Sequence, residues 1–135
     1  MLFRSVCRGG QRFQLSHAER GSYGRWRGQA RCCEPDVALE IPLELQPLAD
    51  RLGSLIADAQ RRGMESMLPL SPPYRLDEAG WVANRWAELL PWAVPFKEHL
   101  LSTDDPLKRL ELVAQAVKSS RGHERDRPPG AADAG

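Results

Sequence analysis

Prolines set the grammar of the segment YRLDEAGWVANRWAELLPWAVPFKEHLLSTDDPLKRLELVAQAV, Tyr74 to Val117. A proline fixes φ and has no amide hydrogen, so it sits in the first turn of a helix or at its end. Pro91, Pro95 and Pro106 therefore cut this segment into three helices. The first is expected over about 78–90, capped by Asp77 and stopped by Pro91. The second is short, about 95–102, with Pro95 in its first turn. The third opens after a cap at Asp104 or Asp105, with Pro106 just inside it. Each piece carries apolar residues at three- and four-residue steps: Ala79, Val82, Ala83, Trp86, Leu89 and Leu90, then Leu107, Leu110, Val113, Ala114 and Val117. Trp81 flanks the first of these stripes.

The same reading extends backwards. Pro69, Pro72 and Pro73 make 64–75 a loop. Before it, Leu45, Leu48, Leu52, Leu55, Ile56 and Ala59 form one stripe of a helix over about 43–62. Pro47 fits only the first turn of that helix, and Gly63 is a natural stop. Val37 to Pro42 connects this helix to a β-part that ends at Glu34-Pro35-Asp36. Within the β-part, Phe13, Leu15 and His17 alternate with polar neighbours, as do Trp26, Gly28, Ala30 and Cys32, which is the period of a strand. Three antiparallel strands are expected near 2–8, 11–17 and 24–33. They turn at Gly9-Gly10 and at Gly21-Ser22-Tyr23-Gly24. After Ser119 the chain is polar and rich in proline and glycine, so 120–135 is expected to be disordered. The expected fold class is α+β: a partial antiparallel β-part (1–36) followed by a small helical bundle (37–119).

Charge is uneven. Residues 1–33 hold seven arginines and one acid, Glu19, whereas the net charge of all 135 residues is +1. A basic segment attracts anionic partners. No apolar run is long enough to span a bilayer, and MLFRSVCRGG lacks the core of a secretory signal, so a cytoplasmic location is expected. Three cysteines, an odd number, argue against a disulfide framework.

The proline-punctuated helices from Tyr74 to Val117 resemble the helical half of the Lon-type substrate-binding domain, the N-terminal module of the Lon protease family. CRGGQRFQL (Cys7 to Leu15) is similar to that family's Gly-Gly-x-Arg-Phe hairpin. GRWRGQARCCEPDV (Gly24 to Val37) is similar to its next strand and the acidic, proline-bearing exit toward the long helix. Nearly all of residues 2–118 fits in the right order. The resemblance implies a pseudobarrel β-half and a module that binds unfolded or partner polypeptides without chemistry of its own or a cofactor. The sequence shows no Gly-rich phosphate loop of the Walker type and leaves no room for a protease domain, so the likeness is to the stand-alone kind. One departure stands out. The family carries further strands before the Gly-Gly hairpin, and here only residues 1–6 precede that motif. The expected β-part is thus truncated, with open edges that invite self-association and an uncovered face bearing Phe13, Leu15 and Trp26.

Candidate chemical sites are few. Cys7, His17, Cys32 and Cys33 are zinc-type ligands, but adjacent strand residues point to opposite faces, so Cys32 and Cys33 fit one ion poorly. No third group orients a Cys–His nucleophile. Asp77-Glu78 and Asp104-Asp105 precede helices and read as caps. Ser54 and Ser71 lie in no nucleophile elbow. Two binding surfaces are left. Leu70, Trp92 and Phe96 are the candidates for an apolar patch that receives unfolded polypeptide. The alternative is a nucleic-acid surface on Arg25, Arg27 and Arg31, with Trp26 or Tyr23 stacking on bases. Polypeptide binding without catalysis is the expected function.

Overall fold

The computed structural model describes residues 5–125, which fall into two compact units divided between Pro35 and Asp36. The first unit is a two-stranded antiparallel hairpin of β1 (Phe13–Arg20) and β2 (Trp26–Cys32). A single 3-10 turn, Ser22–Gly24, joins the strands. Tyr23 and Gly24 both take positive φ (64° and 71°), and the Gly21 amide closes the turn on the Arg25 carbonyl at 2.7 Å. The pairing runs from Phe13 opposite Cys32 to Arg20 opposite Trp26.

The third strand expected near 2–8 is missing from the described part of that segment: residues 5–8 adopt no strand, and 1–4 lie outside the described residues. Gly9-Gly10 therefore closes no hairpin among the described residues. His17 also departs from the simple alternation. It has φ of 64° and sits at an irregularity between Ser16 and Ala18, a bulge that shifts the register by one residue. Phe13, Leu15, Ala18, Gly28, Ala30 and Trp26 thereby share one face, and every residue of both strands is exposed.

The bulge explains Gly28. A Cβ there would lie 2.8 Å from Leu15 Cδ1 and 2.9 Å from the His17 carbonyl oxygen. Gly28→Val is expected to strain the ladder by about 1–3 kcal/mol. Hydrogen exchange of the β1 amides should accelerate about tenfold or more, whereas Gly9→Val, with nothing within 4 Å, should leave it unchanged. Equal rates for the two variants would refute this account of the bulge.

The second unit is helical: α1 (Gln46–Arg61), α2 (Ala79–Leu89), α3 (Val94–Ser102) and α4 (Pro106–Arg125). Pro47 and Pro95 sit in the first turns of α1 and α3. The α1 helix ends in a Schellman arrangement. The Met64 amide donates to Ala59 (2.9 Å), the Gly63 amide donates to Gln60 (3.1 Å), and Gly63 has φ of 65°. Asp105, not Asp104, caps α4, its Oδ1 accepting from the amides of Leu107 (2.9 Å) and Lys108 (3.3 Å).

Asp77 does not cap α2. The N-cap position is Glu78, whose side chain makes no capping bond, and the Ala79 amide donates instead to the Leu39 carbonyl at 2.9 Å. The connector before α1 thus supplies the partner that a side chain was expected to give. The α4 helix continues to Arg125, past Ser119, where order was expected to end. The rest of the predicted disordered tail, 126–135, lies outside the described residues.

The core of this unit is built from Leu48, Leu52 and Ile56 of α1, Val82, Ala83 and Trp86 of α2, Leu100 of α3, and Leu110 and Val113 of α4. At its edge lies a buried cation, Arg109, only 2% exposed. Its guanidinium is paired with the Asp36 carboxylate and donates to the Leu100 and Thr103 carbonyls and to Asn84 Oδ1.

Candidate functional site

One face of the helical unit carries a pocket of about 380 Å³. That is within the roughly 300–1,000 Å³ typical of ligand pockets. Its walls are Leu48 and Arg51 from α1, Trp86 from α2, Leu90-Pro91-Trp92 from the bend after α2, and Val117 and Ser120 from α4. The spacing explains the convergence. Leu48 and Arg51 are three apart on one helix, as are Val117 and Ser120, so each pair presents one face to the groove between the helices.

Two features hold the aromatic wall. The Trp86 indole is buried and donates from Nε1 to the Leu48 carbonyl at 3.1 Å, which fixes the ring across the α1–α2 seam. Pro91 ends α2, and the Trp92 amide donates back to Leu90 at 2.9 Å, a tight bend that turns the indole toward the pocket. Phe96 of α3 meets the Trp92 ring edge-on, with centroids 5.1 Å apart and planes at 82°. The lining is apolar except for the exposed Arg51 guanidinium and the Ser120 hydroxyl, which donates to the Ala116 carbonyl at 2.9 Å. Such a lining offers apolar contact, a hydroxyl acceptor and a cation.

Of the residues expected to receive polypeptide, Trp92 lines this pocket and Phe96 buttresses it. Leu70 does neither. It is buried in the core at 8% exposure, because the proline-rich loop folds it inward against the helices, so it is unavailable to a partner. The lining residues that sequence reasoning left out of any site are Leu48, Arg51, Trp86, Leu90, Pro91, Val117 and Ser120. Four of them belong to apolar stripes and were assigned to the core.

The three arginines lie on the hairpin. Arg25 precedes β2, while Arg27 and Arg31 share the β2 face with Gln29, and Arg31 donates to Gln14 Oε1 at 2.6 Å. Strand alternation puts Trp26 on the opposite face, beside Arg20. The aromatic surface and the Arg27–Arg31 row are therefore not one platform. Cys7 and Cys32 are exposed, Cys33 is half-buried, and all three are free thiols. Among the described residues no group of His, Cys, Asp and Glu converges as a metal site, and no helix is long and apolar enough to cross a membrane.

The chain is thus α+β, with a proline-bent helical unit and an apolar pocket between its helices. The crystal structure of a Lon N-terminal domain protein from Xanthomonas campestris is similar, with 31% sequence identity and a TM-score of 0.63. The match covers 80% of this chain and 53% of that one, so the chain spans about half the length of its structural neighbour. Over the matched part it has the fold of a Lon N-terminal domain. No model of a protein family matches the chain, and no curated protein does.

Proposed function

We propose that the chain is a polypeptide-binding module of the Lon N-terminal domain family, without catalytic activity of its own, and that the pocket around Trp92 receives an apolar side chain of the bound segment. The observation that carries this reading is the likeness to the Xanthomonas protein at 31% identity over 80% of the chain. The pocket supports it. Its walls are aromatic and aliphatic, and the indole of Trp92 sits where an incoming side chain would be desolvated. Binding by apolar contact should depend weakly on salt, unlike binding to a polyanion.

The test is titration of a fluorescently labelled, reduced and carboxymethylated globular protein into the purified chain. Saturable binding is expected, little changed between low and moderate salt. Trp92→Ala should weaken it about tenfold, the effect of a modest hot spot, while far-ultraviolet circular dichroism stays unchanged. Absence of saturable binding by a folded sample would overturn the proposal.

A further inference from the structure

We propose that Arg51 makes the pocket selective, so that the preferred segment pairs a large apolar side chain with a nearby carboxylate. This rests on the reading of the pocket as a polypeptide site. The arginines of the helical unit differ in their partners. Arg61 and Arg62 share Asp58, Arg75 pairs with Glu78, Arg85 with Glu88, and Arg109 with Asp36. Arg51 alone among the described arginine side chains of that unit has no carboxylate partner.

Sequence explains why. The helical neighbours of Arg51 at three and four residues are Leu48, Pro47, Ser54 and Leu55, none of them acidic. The pocket's other polar group, Ser120, bears no charge. The guanidinium therefore stands at the mouth of an apolar pocket with its donors unused by the described residues, beside the walls formed by Trp86 and Trp92. A planar cation of this kind takes a carboxylate through two parallel N–H···O bonds. A lysine or arginine beside the inserted side chain would be repelled. An acidic side chain and a C-terminal carboxylate offer the same chemistry and differ only in where the inserted residue sits in its own chain.

The experiment uses the full chain and four fluorescein-labelled decapeptides, each containing one phenylalanine. In the first three the phenylalanine is central, the C-terminus is amidated, and both neighbours are aspartate, asparagine or lysine. The fourth ends in phenylalanine with a free carboxylate, its other residues neutral. At low salt, at least one carboxylate peptide is expected to bind about fivefold more tightly than the asparagine peptide, the upper range for an exposed ion pair. The lysine peptide should bind more weakly than asparagine. Arg51→Gln should abolish these differences, and Arg51→Glu should invert them. Moderate salt should compress the wild-type preference. If all four peptides bind the wild-type chain alike, or if the preference survives Arg51→Gln, the role of Arg51 is refuted and the polypeptide site stands. If none binds, the pocket is not a polypeptide site and both readings fall.

Discussion

Replacing Arg109 by methionine is expected to destabilise the helical unit by about 3–5 kcal/mol, the usual consequence of removing one partner from a buried ion pair. The side chain is 2% exposed, and its donors are used on Asp36, Asn84 and the carbonyls of Leu100 and Thr103. Methionine would fill much of the volume but leave both carbonyls without this donor at the α3–α4 junction. Asp36 keeps 23% side-chain exposure and can recover some hydration, which places the loss toward the lower end of the range. Arg109→Lys should be intermediate, because an ammonium keeps the charge and loses the planar fork. Urea unfolding followed by tryptophan emission measures both variants. A loss under about 1 kcal/mol for the methionine variant would show that the pair is dispensable. The Asp36→Ala and Arg109→Met losses should also fall well short of additive when combined, since each substitution removes the same contact.

That ion pair marks the limit of what the sequence made legible. The helix boundaries set by proline and glycine were readable because their determinants are local. Pro47, Pro95 and Pro106 can stand only in first turns, and Gly63 can take the positive φ that ends α1. The stripes of α2 and α4 were readable for the same reason. Arg109 was not, because a charged residue next to a stripe reads as solvated, and its partner lies 73 positions earlier. Gly80 belongs with it. It is the second residue of α2, in a first turn that any good helix former could occupy. Here a Cβ would stand 2.9 Å from Asp36 Oδ2 and 3.2 Å from Pro106 Cβ, so the glycine admits the carboxylate that Arg109 holds.

The start of α2 was misread for a related reason. Its first free amide is satisfied by Leu39, a tertiary partner, and not by the nearby Asp77. The pocket was half legible. Trp92 stood out because an aromatic in the short connection beside Pro95 can anchor a partner. Leu48, Trp86 and Val117 were invisible as lining, because a residue that faces the core along one edge and a groove along the other has the same periodicity as one that is fully buried. On the hairpin, the alternation of Phe13, Leu15 and Trp26 was clear. The bulge at His17 was not, because nothing in the local sequence requires a positive φ at a histidine.

Trp86→Ala is the second large effect expected, about 3–5 kcal/mol. The indole is 9% exposed, packs with Leu48 and Val82 in the core, forms a pocket wall, and donates to the Leu48 carbonyl. Three contributions can be separated. Truncation to alanine removes the buried apolar surface and leaves a cavity continuous with the pocket. Trp86→Phe retains most of the apolar contact and deletes the donor. The Leu48 carbonyl keeps its helical position, so that variant should lose only about 1–2 kcal/mol. Leu48→Ala, which trims the other side of the same seam while keeping the carbonyl, should cost about 2–4 kcal/mol. Urea unfolding of the three variants gives the ordering, and far-ultraviolet circular dichroism confirms that each remains folded before denaturant is added. If Trp86→Phe proves as damaging as Trp86→Ala, the single hydrogen bond across the α1–α2 seam outweighs the packing around it. The wall of the pocket would then be held by polar pinning and not by burial. If Trp86→Ala costs less than about 1 kcal/mol, α1 and α2 are held together elsewhere, and the pocket they share is too loosely framed to select a side chain.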